Sequence, residues 1–217
     1  MQGVLDTVYL AVGLLVALVC HEYAHAVVAV RLGDQTPRQM GRHTLNPKAL
    51  VDPFGTYVLP AILLLPVLFG RGVLFPIFAY AKPMPLNPWN LRRPDNHSVW
   101  IALAGIGANV ALAFAFGGLL RAVGFNAGQF SRFLADCLLV NVIMAAMQIV
   151  PIPGLDGGRV VARFLPQRPR EVYANLEQYL ALFILVVFFI FAGPVFLFVH
   201  AIGNGICNVT AGVTCFS

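Results

Sequence analysis

Residues 17–30 read ALVCHEYAHAVVAV, which contains the pattern H-E-x-x-H as His21, Glu22 and His25. On a helix, positions i and i+4 share a face, so both imidazoles can address one metal ion. Glu22 lies about 100° around the helix and can reach a metal-bound water without ligating. Zinc lowers the pKa of such a water toward ~7, and the carboxylate accepts its proton. That is the chemistry of metal-dependent peptide hydrolysis. A five-residue pattern alone is only moderately specific. Here it sits in an apolar stretch of membrane-spanning length, where ionisable side chains require a partner. The competing readings are hydrogen bonding between helices or a proton relay in a transporter.

Catalytic zinc usually takes three protein ligands and leaves one position for water. Asp156 is the candidate for the third ligand, being the only acid between Asp136 and Glu171. It lies in PIPGLDGGRV, directly after an apolar run. Pro151 and Pro153 prevent regular helix there, and Gly154, Gly157 and Gly158 let the backbone bend. Taken alone, Asp156 would more simply be the N-cap of a following short helix.

The elements that must position these residues are set by the hydropathy pattern. Of the 217 residues 59% are hydrophobic and only 11% charged, and the mean hydropathy is +0.80. A soluble domain carries about 25% charged residues, so the chain reads as an integral membrane protein. We expect a mainly α, polytopic single domain over residues 1–217, with about four full transmembrane helices. These fall at residues 4–31, 98–120, 133–150 and 176–202. The first lacks a preceding basic residue and a following cleavage site, so it reads as a retained helix. Residues 55–81 are apolar but interrupted by Pro60, Pro66, Gly70, Gly72 and Pro76, which suits a re-entrant or helical hairpin. The Pro-rich polar stretch before it should hold turns and short strands, and the one after it extended edge strand or polyproline-like backbone.

Eleven of the 14 Lys and Arg fall in residues 31–54, 82–97 and 157–170. The positive-inside rule makes these segments cytoplasmic and puts the N-terminus outside. His21 and His25 then lie roughly 9–15 Å from the cytoplasmic end of their helix. Asp156 follows a span descending to the same side, provided residues 55–81 return to where they began. No basic helix or aromatic-interleaved patch suggests nucleic-acid binding. The cysteines at 20, 137, 207 and 215 form no C-x-x-C. Cys207 and Cys215 either pair in an oxidising compartment or remain free thiols. His43 and His97 read as surface or strand residues, and His200 as an interfacial or inter-helix hydrogen-bonding residue.

In order along the chain, HEYAHA, RLGD, GRHTLNPKALVDPFGT, AYAKPMPLNPWNLR and PIPGLDGG resemble the site-2 protease family of intramembrane zinc metalloproteases. The likeness is to its compact prokaryotic branch without a PDZ domain. The resemblance implies one Zn2+ held by His21, His25 and Asp156, with Glu22 as general base. It implies a transmembrane-helix protein as substrate, cleaved near the cytoplasmic side, and membrane-associated β-strands at residues 43–57 and 79–90 that hold the unwound substrate by strand addition. Recognition would come from the membrane core or from a regulatory membrane partner. Gln148 stands where the family usually has an Asn that contacts the oxyanion or substrate backbone. It keeps the amide donor but is one methylene longer. Asn141 and Asn109 match two further family asparagines, and Ile106 replaces a proline in AGIGAN. The rival readings are a catalytically silent relative and a metal-binding transporter that binds transmembrane segments.

Overall fold

The computed structural model describes residues 2–71, 78–176, 179, 186, 192–212 and 215. Eight α-helices appear among them: α1 Gln2–Arg31, α2 Thr36–Gln39, α3 Leu59–Leu68, α4 Pro94–Val123, α5 Gln129–Ile149, α6 Asp156–Ala162, α7 Gln167–Leu176 and α8 Ala192–Thr210. Among the described residues α1, α4 and α5 are long and apolar enough to cross a membrane. About half of the expected span at 176–202 falls outside the described residues. Its visible end, α8, continues to Thr210, beyond the expected stop at 202. The small residues of GNGICNVT stay helical because Ile206, Cys207 and Ala211 pack against α4 and α5.

Helix α1 shows why the histidines are positioned so firmly. Leu10, Leu14, Ala17, Leu18, His21, His25 and Ala29 recur at three- and four-residue spacing and are buried. Val4, Val8, Val12 and Leu15 lie on the opposite, exposed face. The imidazoles therefore belong to the packed stripe of an otherwise apolar helix. Helix α5 is central: 67% of its apolar window is buried, against 33% for α1 and 28% for α4. It packs against α1 on one side and α4 and α8 on the other, while α3 packs on α1. Helix α4 starts at Pro94 and stops at Gly124, whose φ of 89° ends regular helix.

No strand occurs among the described residues, which corrects the expectation of β-strands at 43–57 and 79–90. The first segment coils instead. Pro47 opens a 3₁₀ turn capped by Asn46, and Pro53 opens a π-helical turn whose backbone N–H groups at Phe54 and Gly55 donate to Asp52. The second has no regular structure until Pro88 opens a 3₁₀ turn capped by Asn87, and Pro83 and Pro85 supply no N–H for a ladder. Two backbone bonds join the segments: Tyr80 N–H to the Gly55 carbonyl at 3.1 Å and Lys82 N–H to that of Leu50 at 3.0 Å. Residue 80 thus lies beside residue 55, so the chain returns after α3 to where it left.

The far end of this second segment is held by Asp34, which is fully buried. Its carboxylate accepts from Asn87 N–H (2.7 Å), the Asn90 amide (2.9 Å), and the Thr36 N–H (3.0 Å) and hydroxyl (2.6 Å). Burial raises its pKa, but these donors outweigh it and hold the carboxyl below the usual carboxylate range. A depressed folded pKa stabilises above the unfolded value of about 3.9, and that contribution is lost as pH falls through the folded value. Asp34→Asn should destabilise the detergent-solubilised protein by about 2 kcal/mol at pH 7. In thermal unfolding across pH 7 to 3, the gap from wild type should narrow below about pH 4.

Candidate metal centre

His21, His25 and Asp156 meet at one point. The two imidazole Nε2 atoms are 3.0 Å apart. Asp156 Oδ2 lies 3.2 Å from His21 Nε2 and 3.3 Å from His25 Nε2. All three side chains are buried. The other ring nitrogens fix the tautomers. His25 Nδ1 lies 2.6 Å from the Ile101 carbonyl, and His21 Nδ1 lies 3.2 Å from Asn109 Oδ1. Both neighbours are acceptors, so each Nδ1 carries the proton and donates. Each Nε2 is left with a lone pair. Asp156 Oδ2, the third acceptor, has no hydrogen-bond partner. Three buried electron pairs facing one another would repel; a cation between them resolves the conflict. Ligands ~2.0–2.1 Å from a tetrahedral zinc stand ~3.3 Å apart, close to the spacing seen here.

Local sequence explains the convergence. A Cβ at Gly105 on α4 would lie 2.4 Å from His25 Cε1 and 2.6 Å from His21 Cε1. Only glycine lets α4 pack this closely on the imidazoles. After α5, Pro151 and Gly154 (φ 91°) redirect the chain into α6. Asp156 is the first residue of that helix, and Leu155, whose side chain makes no capping bond, is the N-cap. The carboxylate is therefore not consumed as a cap. Gln148 accepts the Asp156 N–H at 3.2 Å through Oε1. Gly157 and Gly158 lie against the Ile149 and Ile152 carbonyls, 2.1 Å from where a Cβ would sit. Tyr173 donates to the Pro151 carbonyl at 2.8 Å and steadies the bend.

These residues enclose a cavity of about 40 Å³, lined also by Glu22, Gln148 and Arg159, and walled by Tyr80, Ala81, Pro83 and Met84. That volume admits roughly three waters but no peptide. Glu22 brings a carboxylate oxygen within 4.8 Å of both imidazoles. Its Oε2 is buried without a partner. Asn109 sits behind His21 as its orienting acceptor rather than facing the cavity. Asn141 is not among the lining residues; its amide donates to the Cys137 carbonyl one turn back at 2.8 Å. His43 packs on Tyr23 and His200 on Phe196, both away from the cavity lining, as is His97. Sequence reasoning did not single out Tyr80, Met84 or Arg159, since nothing in a Pro-rich loop or a helical arginine signals which cavity it will line.

The arrangement defines a helical protein with a buried His-His-Asp centre beside a free carboxylate. Over 190 residues the chain is 33% identical to "Putative zinc metalloprotease YwhC" of Bacillus subtilis (strain 168), covering 83% of this chain and 80% of that protein. It is 30% identical over 176 residues to "Putative zinc metalloprotease Rip2" of Mycolicibacterium smegmatis. It is 29% identical over 183 residues to the protein of the same name in Mycobacterium tuberculosis (strain H37Rv). The matches cover 81% of this chain but 64% of each Rip2 protein, so the chain spans just under two thirds of their length. No family model matches, and no solved structure gives a significant match. The chain belongs to the site-2 protease family of zinc metalloproteases.

Zinc content tests the centre directly. Asp156→Ala and Gly105→Ala should each lower zinc affinity at least about tenfold, the second by displacing both imidazoles. Metal analysis of purified protein across a chelator titration measures this. Glu22→Gln should keep its zinc.

Proposed function

We propose that this protein is an intramembrane protease that hydrolyses peptide bonds within substrate transmembrane helices. The observation that carries this reading is the unpartnered Glu22 Oε2 beside three converging acceptors lining one cavity. Zinc held by His21, His25 and Asp156 would polarise a water and lower its pKa toward ~7. Glu22 would serve as general base, accepting a proton at its free Oε2 and passing it to the leaving amine. Its free oxygen and its closeness to both histidines suit that shuttle. Asn109 and the Ile101 carbonyl hold the imidazoles in the ligating tautomer throughout. Gln148 commits its amide oxygen to the Asp156 N–H, so its NH2 group remains to hold a substrate carbonyl or the developing oxyanion.

The substrate, an unwound transmembrane segment, docks along the extended residues 79–84. Tyr80 and Lys82 direct their backbone N–H groups at residues 50–55, so the alternating geometry turns those of Ala81 toward the cavity it lines.

Residues 31–54, 82–97 and 157–170 face the cytoplasm, and the N-terminus lies outside. Besides the basic-residue bias, a disulfide supports this. Cys207 and Cys215 are bonded, at the C-terminal end of α8. That end packs on the Arg121 end of α4 and the N-terminal half of α5, away from the metal centre. Disulfides persist in oxidising compartments, whereas the centre would sit in the other half of the bilayer.

Glu22→Gln should abolish cleavage of a reconstituted single-span substrate, with a fall of at least about 10³ in kcat, while zinc stays bound. Cleavage by that variant at the wild-type rate would overturn the mechanism. Impermeant thiol reagents applied to intact cells after reduction should label Cys215 but not a cysteine introduced at Lys48.

A further inference from the structure

One wall of the cavity is extended chain that cannot hold itself. Pro83 and Pro85 have no N–H, and no neighbouring strand forms a ladder with residues 79–90 among those described. Between the cavity-lining residues Tyr80 and Met84, its position depends on ties to residues 42–56. Two are the backbone bonds from Tyr80 and Lys82. Two are side-chain ties. The Thr56 hydroxyl donates to the Tyr80 carbonyl at 2.9 Å. The two terminal nitrogens of Arg42 donate to the carbonyls of Ala49 and Lys82. Arg42 is only 6% exposed, and Glu22 lies within reach of its charge. A guanidinium is suited to this duty. Its donors sit in a rigid planar fork, so one group fixes two carbonyls relative to each other; an ammonium is a point charge on a flexible stem.

We infer that Arg42 is a positioning residue for substrate: by clamping the Lys82 carbonyl to the Ala49 carbonyl, it sets the cavity wall formed by Tyr80, Ala81, Pro83 and Met84. Arg42 touches neither the metal ligands nor the cavity, so its loss should impair substrate binding more than hydrolysis. The substrate part of this inference rests on the proteolytic reading above; the placing of the wall does not.

The experiment therefore has two readouts. The first is independent of activity. Met84, which is 6% exposed, is replaced by cysteine in a protein whose Cys20 and Cys137 are alanine, and its labelling by a water-soluble maleimide is timed. Arg42→Gln should raise the labelling rate at least about tenfold, and Arg42→Lys by less. The second readout is cleavage of a single-span substrate in liposomes. Arg42→Gln should raise KM about tenfold, lower kcat by a smaller factor because the Arg42 charge also reaches Glu22, and leave zinc content unchanged. Thr56→Val, which removes the other side-chain tie, should move both readouts the same way by less, and decides the matter if Arg42→Gln does not fold. Unchanged labelling overturns the inference, as does a fall in kcat at constant KM. If the wild-type protein cleaves nothing while its zinc is bound, the proteolytic reading fails and the labelling alone decides the role of Arg42.

Discussion

Everything in this structure is arranged around three acceptors that have no donor among them. Two imidazole nitrogens and a carboxylate oxygen are packed together in a buried place, each with its lone pair turned to the same point. Removing polar groups from water without partners costs several kcal/mol, and bringing like poles together adds to it. A divalent cation reverses the sign of every one of these terms. An ion at that point accounts for the arrangement, and the packing of α1, α4, α5 and α6 keeps the three acceptors close together.

The two kinds of candidate ligand are delivered by different devices. The histidines ride on the buried stripe of a long helix, and their orientation is set by acceptors on α4. The aspartate arrives on an irregular turn between α5 and α6. There proline breaks the helix, two glycines allow close backbone approach, and Gln148 receives the helix-starting N–H. The helix supplies rigidity. The turn supplies a direction that a continuing helix could not.

Much of the centre was legible in the sequence because its chemistry conflicts with its surroundings. His21, Glu22 and His25 stand out in an apolar helix, and Asp156 in a run of helix breakers. The helices α1, α4 and α5 were legible for the same reason that lipid selects them: length and hydropathy. The loops were not. The resemblance implied strands at residues 43–57 and 79–90, yet prolines there start 3₁₀ and π turns with Asn46, Asp52 and Asn87 as caps. Local capping competed with extension and won, which a composition-based reading does not weigh. Asp34 and Arg42 were hidden differently. Each is a charged residue in a polar segment, where exposure is the default, and only the fold reveals that both are buried with several backbone partners. Asn109 matched its motif, but its role as the orienting acceptor of His21 depends on a helix crossing that spacing alone does not convey.

The separation along the chain between His25 and Asp156 carries a mechanical implication. The ligands bracket α3, α4 and α5, so an ion that ties them together closes a loop of about 130 residues and acts as a cross-link as well as a reagent. Its loss would remove that tie between α1 and α6 and leave α6 held by its packing on α4 and α5. Metal supply would then govern how long the folded protein survives in its membrane, quite apart from how fast it works.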